Sequence, residues 1–227
     1  MALGTPALAT PTVGTAGTAD QTVDFTPTLG ALLVTLASSR SGVLHGALAL
    51  TPSALSWTPL ATALHDLGSS TRIRAAAWAA IASSAAALNV RVDSASATKT
   101  CVSVVEITGP GGIPGNFAGA ADPGGTANPT VTLGSAPAAS STVIGYFAAA
   151  GATAVTAPAG YTEIGETVSD SDLIVEIVYD ALSAATSAAW TTANARGVGL
   201  LIEVVEASGA ARILRPRSNR FKHMIIR

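Results

Sequence analysis

The chain has 227 residues, of which 48% are hydrophobic and only 11% are charged, and its mean hydropathy is +0.46. It contains no run of 18 or more apolar residues, which excludes an integral membrane protein built from spanning helices. Its single cysteine, Cys101, excludes an internal disulfide and fits a protein made in a reducing compartment.

The N-terminal segment, residues 1–20, is a loose repetition of Thr, Ala, Gly and Pro. It has no basic region and is interrupted by Pro6 and Pro11, so it reads as neither a signal peptide nor a membrane anchor. We therefore expect synthesis in a cytosol and no insertion in a membrane. The segment has too few large side chains to fold alone, and we expect a flexible lead-in or an arm ordered only by contact.

The next part of the chain contains the same series of β-prone stretches twice. Residues 30–109 hold five of them, and residues 141–209 hold five more in the same order. The first set is 30–37, 54–58, 72–79, 87–92 and 101–108, and the second is 142–149, 160–164, 173–180, 187–191 and 198–205. Short strands separated by turn residues predict an all-β fold, an antiparallel, jelly-roll-like β-sandwich spanning residues 21–209, with extended N- and C-terminal arms.

Residues 75–87 are the one stretch where a helix competes with a strand. The alanines favour a helix on propensity alone. However, Arg72-Ile-Arg alternates polar and apolar residues, and the corresponding stretch of the second set, residues 173–179, is strongly β-prone. We predict a strand over about residues 71–80.

The connection between the two sets, residues 109–129, is rich in Gly and Pro. No Gly-Lys-Ser/Thr follows it and no G-x-G-x-x-G opens a helix, so it does not read as a phosphate-binding loop. We expect a long crossover between the two halves.

Residue types that perform catalysis are few and scattered. Nucleophile elbows, H-E-x-x-H and paired cysteine ligands are all missing from the sequence. Cys101 reads as a buried small hydrophobe, and His45 and His65 are expected in solvated loops. These observations predict a protein that is not an enzyme.

Two further groups of residues have a structural interpretation. Glu166, Asp170 and Asp172 form an acidic turn without the spacing of a calcium loop, so we expect no metal and no cofactor.

The tryptophans are expected to fill the core or anchor one sheet to another, with an exposed sugar-stacking platform as the alternative. They are Trp57, Trp78 and Trp190.

Charge is segregated along the chain. Residues 1–211 hold six Lys and Arg and all fourteen Asp and Glu, a net of −8, whereas residues 212–227 hold six cations and no acid, a net of +6. This basic tail, in the segment 210–227, is expected either to dock on its own acidic body or to reach an acidic neighbour, and nucleic acid is disfavoured because the tail lacks interleaved aromatics. The candidate partner-binding residues are Arg212, Arg215, Arg217, Arg220, Phe221, Lys222 and Arg227.

The order of short motifs along the chain carries a resemblance. They are Leu55-Ser-Trp-Thr, Arg74-Ala-Ala-Ala-Trp, Val90-Arg-Val-Asp, Val104-Val-Glu-Ile-Thr-Gly, Thr130-Val-Thr-Leu, Gly160-Tyr-Thr-Glu and Leu200-Leu-Ile-Glu. Over residues 20–208 this succession resembles a β-sandwich domain that recurs in structural proteins of tailed bacteriophages. The resemblance implies a virion component on the head, tail or fibre, whose partners are other virion proteins and copies of itself.

Two functions from different classes follow. The first is a non-enzymatic virion structural protein, in a head decoration, minor capsid or tail-associated role, fastened to its neighbours by its arms. The second is a module that binds a host-surface glycan through tryptophan faces at an edge of the sandwich. A hydrolase assembled from loop carboxylates is a weaker third. The absence of heptads and fibrous repeats favours a compact module over a fibre shaft.

Overall fold

The computed structural model describes residues 2–10, 13–44, 46–51, 54–66, 71–121, 129–150, 155–169, 173–180, 185–191 and 196–207. Within these ranges the chain forms sixteen strands and no helix, so the predicted all-β fold is confirmed. The part of the chain that is described contains no helix able to span a membrane. The strands are β1 (Ala7–Leu8), β2 (Val13–Ala16), β3 (Ala19–Gln21), β4 (Leu32–Ser41), β5 (Ala49–Thr51), β6 (Thr58–His65), β7 (Arg72–Ile81), β8 (Arg91–Asp93), β9 (Lys99–Ile107), β10 (Phe117–Ala121), β11 (Thr130–Thr132), β12 (Ser141–Ala150), β13 (Thr162–Ser169), β14 (Leu173–Asp180), β15 (Ser187–Ala189) and β16 (Arg196–Val205).

The strands form two large and two small antiparallel sheets. The first large sheet has the order β1-β9-β4-β7-β6, with β2 also paired to β9, and its small companion has the order β3-β8-β5. The second large sheet has the order β10-β16-β12-β14-β13, and its companion is the pair β11-β15.

The two halves share one topology, except that β5, which pairs with β8, has no counterpart among the described strands of the second half. In each, the last strand (β9 or β16) pairs on one side with the central strand (β4 or β12) and on the other with a strand from the start of the half (β1 and β2, or β10). In each, the short strand before the last one (β8 or β15) pairs with the strand that precedes the central strand (β3 or β11). The predicted series of two similar strand sets is therefore present, and we call residues 7–107 the first repeat and residues 117–205 the second repeat.

Both repeats begin earlier than the predicted starts at residues 30 and 141. The expected crossover, residues 109–129, contains β10, and the expected arm, residues 1–20, contains β1, β2 and the start of β3. Main-chain bonds hold the N-terminal segment on its own sheet, for example from Ala9 N to Val104 O at 2.8 Å. The N-terminal segment is therefore not a flexible lead-in, and it is ordered by contact with the first large sheet.

A glutamate at the same position of each repeat fixes the turn before the central strand. Glu106 lies opposite Leu33, and Glu203 lies opposite Val143. Glu106 Oε1 accepts a hydrogen bond from the backbone N–H of Thr28 at 3.0 Å, and Glu203 Oε1 accepts one from Ala138 at 2.6 Å. These two residues carry the V-x-E and I-E motifs of the sequence, and their role here is structural.

The sheets stack as four layers, with the large sheets facing each other in the middle. The inner core between them joins Leu36 and Ile73 of the first repeat to Tyr146 and Leu200 of the second. Each small sheet covers the outer face of its own large sheet. The central strands are thus covered on both faces, and all ten residues of β12 are buried. This explains why β12, and β4 as far as Ala37, carry apolar residues at most successive positions and not in an alternating pattern.

The alanine-rich stretch is strand β7, as predicted. It pairs with β4 along its whole length and with β6 on its other edge. Ala75, Ala77 and Ala79 face the inner core, where the larger Tyr146 and Ile144 lie on the facing repeat. Pairing on both edges outweighs the helix propensity of alanine, which is worth less than 1 kcal/mol per residue.

Candidate functional site

The residues considered for catalysis lie apart. Cys101 is buried on β9, and burial raises the pKa of its thiol far above the usual range, which suits the predicted structural role. His65 ends β6 and is 1% exposed, so the expectation of a solvated loop histidine is wrong. The reason is that β6 extends to His65 by pairing with Ile73. His45, Asp170 and Asp172 lie outside the described residues.

No metal site is formed by the described part of the chain: no three His, Cys, Asp or Glu side chains there are placed to hold an ion. The partner-binding candidates of the basic tail also lie outside the described residues. They are Arg212, Arg215, Arg217, Arg220, Phe221, Lys222 and Arg227.

Three glutamates form what we call the acidic face, on the outer side of the second large sheet at its β13 edge. Glu166 of β13 lies directly opposite Glu176 of β14, and Glu163 lies opposite Val178. Directly paired residues project to the same face, and residues two apart on a strand do so too. The three carboxyl groups therefore share one face of the sheet. Glu163 and Glu166 are exposed.

Glu176 is the unusual member of the acidic face. It is 0% exposed, and neither of its carboxylate oxygens has a hydrogen-bond partner among the described residues. Burial, followed by the carboxylates of Glu163 and Glu166, raises the pKa of Glu176 to about 7, and the indole N–H of Trp190 acts in the opposite direction. That N–H lies near the carboxyl group without full hydrogen-bond geometry, since Trp190 Nε1 also lacks a partner.

The first repeat has neutral residues at the equivalent positions. Because Glu106 and Glu203 are equivalent, the strand registers align Ala76 with Glu176 and Thr62 with Glu166. In the first repeat this place is a cavity of about 210 Å³ lined in part by Thr62 and Ala76. The fold therefore does not require carboxylates there.

Sequence reasoning missed Glu176 as a candidate. The available signal was a lone charge inside the apolar run from Leu173 to Val178, which predicts a charged side chain in a buried strand. Only the pairing of β13 with β14 places Glu163 and Glu166 beside it.

The tryptophans occupy two different environments. Trp190 is 1% exposed and stacks on Phe147, with the ring centroids 5.5 Å apart, so the predicted core role is confirmed for it. Trp57 and Trp78 are half-buried and line one groove of about 240 Å³ together with Leu50, Leu55 and Pro59.

A polar cleft of about 350 Å³ lies between the N-terminal strands and β8, and its acid has a structural role. Burial raises the pKa of Asp20, which lines the cleft. Its carboxylate accepts hydrogen bonds from the backbone N–H groups of Val102 and Gln21, both at 2.9 Å. Asp20 thus fastens β3 to the first large sheet.

Comparison with known proteins gives no further guide, because no family model, curated protein or solved structure matches the chain.

Proposed function

We propose that this chain is a non-enzymatic structural component of a tailed-phage particle, a compact β-sandwich module attached to the head or tail. The segregation of charge carries the proposal: an acidic body with a net of −8 is followed by a tail with a net of +6. The ordered motifs that resemble phage structural proteins support it. Attachment is assigned to the basic C-terminal tail alone, because the N-terminal segment is paired within its own sheet.

The body offers little that argues for chemistry. Asp20, Glu106 and Glu203 hold backbone N–H groups, and Cys101 is buried in the inner core. Only 11% of the residues are charged, and a sparsely charged surface on a four-layer core fits a module that packs against neighbouring proteins.

A glycan-binding module is the second candidate, favoured by the groove between Trp57 and Trp78. Two indole faces beside Pro59 offer an apolar surface on which a sugar ring can stack. In this case binding belongs to the body and does not need the tail.

One experiment separates the two functions. The full chain, a truncation after Ala211 and Trp78→Ala are added to particles lacking the protein and to host cell envelopes. We expect the truncation to keep its melting temperature but to lose particle attachment, and the attachment of the full chain to weaken with salt, because exposed charge contacts contribute about 0.2–1 kcal/mol each and are screened over about 8–10 Å. Trp78→Ala should attach normally.

Two results would contradict the assignment. A melting temperature several degrees lower in the truncation, with attachment unchanged, would mean that the tail belongs to the body's own fold. Envelope binding that survives truncation and is lost in Trp78→Ala would favour the glycan-binding module.

A further inference from the structure

The acidic face lacks a counter-charge among the described residues. The groups that act on the pKa of Glu176 are the carboxylates of Glu163 and Glu166 and the indole of Trp190, and none of them is a cation. Glu176 is fully buried, and within the described ranges both of its carboxylate oxygens lack a hydrogen-bond partner. An unpaired buried carboxyl group is costly, and a cation brought to this face would offset that cost.

The acids are also not needed by the fold. The first repeat builds the same pair of strands with Thr62 and Ala76 at the positions of Glu166 and Glu176. The second repeat thus carries carboxyl groups where a neutral pair suffices, which is the pattern of a surface that binds something positive.

The chain itself contains the complementary segment. Residues 212–227 hold six cations and no acid. Five of the six are arginines, whose guanidinium groups form paired hydrogen bonds with carboxylates. At about 3.3 Å per residue this segment extends to about 50 Å, long enough to run along a whole strand of another molecule.

The strand register limits which cations of the same molecule's tail can reach the acidic face. The pairings of β13 with β14, of β14 with β12 and of β12 with β16 place Glu163 level with Leu201 of β16. Glu163 is three strand spacings away from Leu201, and Ala207 lies six residues further along the chain from Leu201. Strand spacing and rise place Glu163 about 25 Å from Ala207. Arg212 lies five residues after Ala207 and reaches about 17 Å at most. Arg212 therefore falls short of its own acidic face, whereas Arg215 and the later cations are far enough along the chain to reach it. The second copy is chosen because the proposed function has the tail hold a neighbour.

We propose that the acidic face formed by Glu163, Glu166 and Glu176 receives the basic tail, residues 212–227, of a second copy of this chain. This rests on the proposed function, in which the tail leaves its own body to hold a neighbour. The contact is heterologous, tail to face, so it joins copies into a ring or a row.

The test measures self-association of the full-length protein by analytical sedimentation at low and at high salt. We expect Glu163→Gln combined with Glu166→Gln to weaken association about two- to thirtyfold, the range for two exposed charge contacts. Asp24→Asn, which removes an exposed carboxylate elsewhere, should have no effect. Reversing the tail with Arg215→Glu and Arg217→Glu should also weaken association.

Charge reversal on both partners gives the most decisive comparison. A variant with Glu163→Lys and Glu166→Lys, mixed with the tail-reversed variant, should form mixed complexes that neither forms alone. If the tail-reversed variant fails to associate while the glutamine variants associate normally, the tail still works as an arm and this acceptor is wrong. If wild type is monomeric, or if no variant changes association, the proposal is overturned.

Discussion

Glu176→Gln is expected to make the protein more stable than wild type above pH 7. It should also remove the part of the pH dependence of stability that comes from Glu176. The pKa of Glu176 is about 7 in the folded protein, against 4.5 for an ordinary glutamate. The folded state therefore holds a proton that the unfolded state has lost, and wild-type stability falls as the pH rises from about 4.5 to 7. A shift of this size corresponds to about 3 kcal/mol.

The measurement is urea unfolding of wild type and variant at pH 5 and pH 8. Using the difference between the two proteins cancels the titration of every other group. We expect the variant to gain up to about 3 kcal/mol over wild type between the two pH values. Glu166→Gln is the matched control. Removing this neighbouring carboxylate lowers the folded-state pKa of Glu176, so the loss of stability with rising pH should persist but be smaller and end at a lower pH. An equal difference at pH 5 and pH 8 would mean that Glu176 does not titrate in this range.

Trp190→Ala is expected to cause the largest loss of stability of any tryptophan substitution. Trp190 stacks on Phe147, and its indole ring packs closely against two glycines. A Cβ atom added at Gly145 or at Gly199 would lie 3.0 Å from that ring. Removing a buried aromatic side chain typically costs about 3–5 kcal/mol. For a protein of this size, that lowers the melting temperature by about 10 °C.

Thermal unfolding of the three single tryptophan variants tests this expectation. Trp57→Ala and Trp78→Ala are the matched controls, because both side chains are half-buried and line an open groove. Their losses should be clearly smaller. If Trp190→Ala lost no more stability than Trp57→Ala or Trp78→Ala, the indole of Trp190 would not be the main anchor of the β11-β15 pair.

The main strands could be predicted from the sequence because their side chains are buried on both faces. The apolar runs at β4, β12 and β16 are long and β-prone, and the match between the two sets identified β7 despite its alanines. The repetition of the strand series therefore identified a strand that the secondary-structure propensity of its own residues did not.

The edge strands and the acidic face could not be predicted, since they depend on long-range pairing. β1, β2 and β10 are short and consist mostly of small residues, and they are held by backbone hydrogen bonds to β9 and β16, which leave no pattern in the sequence. Glu166 and Glu176 are ten residues apart in sequence, and only the register of β13 on β14 sets them opposite each other.

The location of the chain in intact particles tests the central claim most directly. Purified particles would be labelled with an antibody against the folded body and imaged, and their protein content measured. The account predicts a constant number of copies per particle at one fixed position on the head or tail. A chain that is abundant in infected cells but missing from purified particles would contradict it.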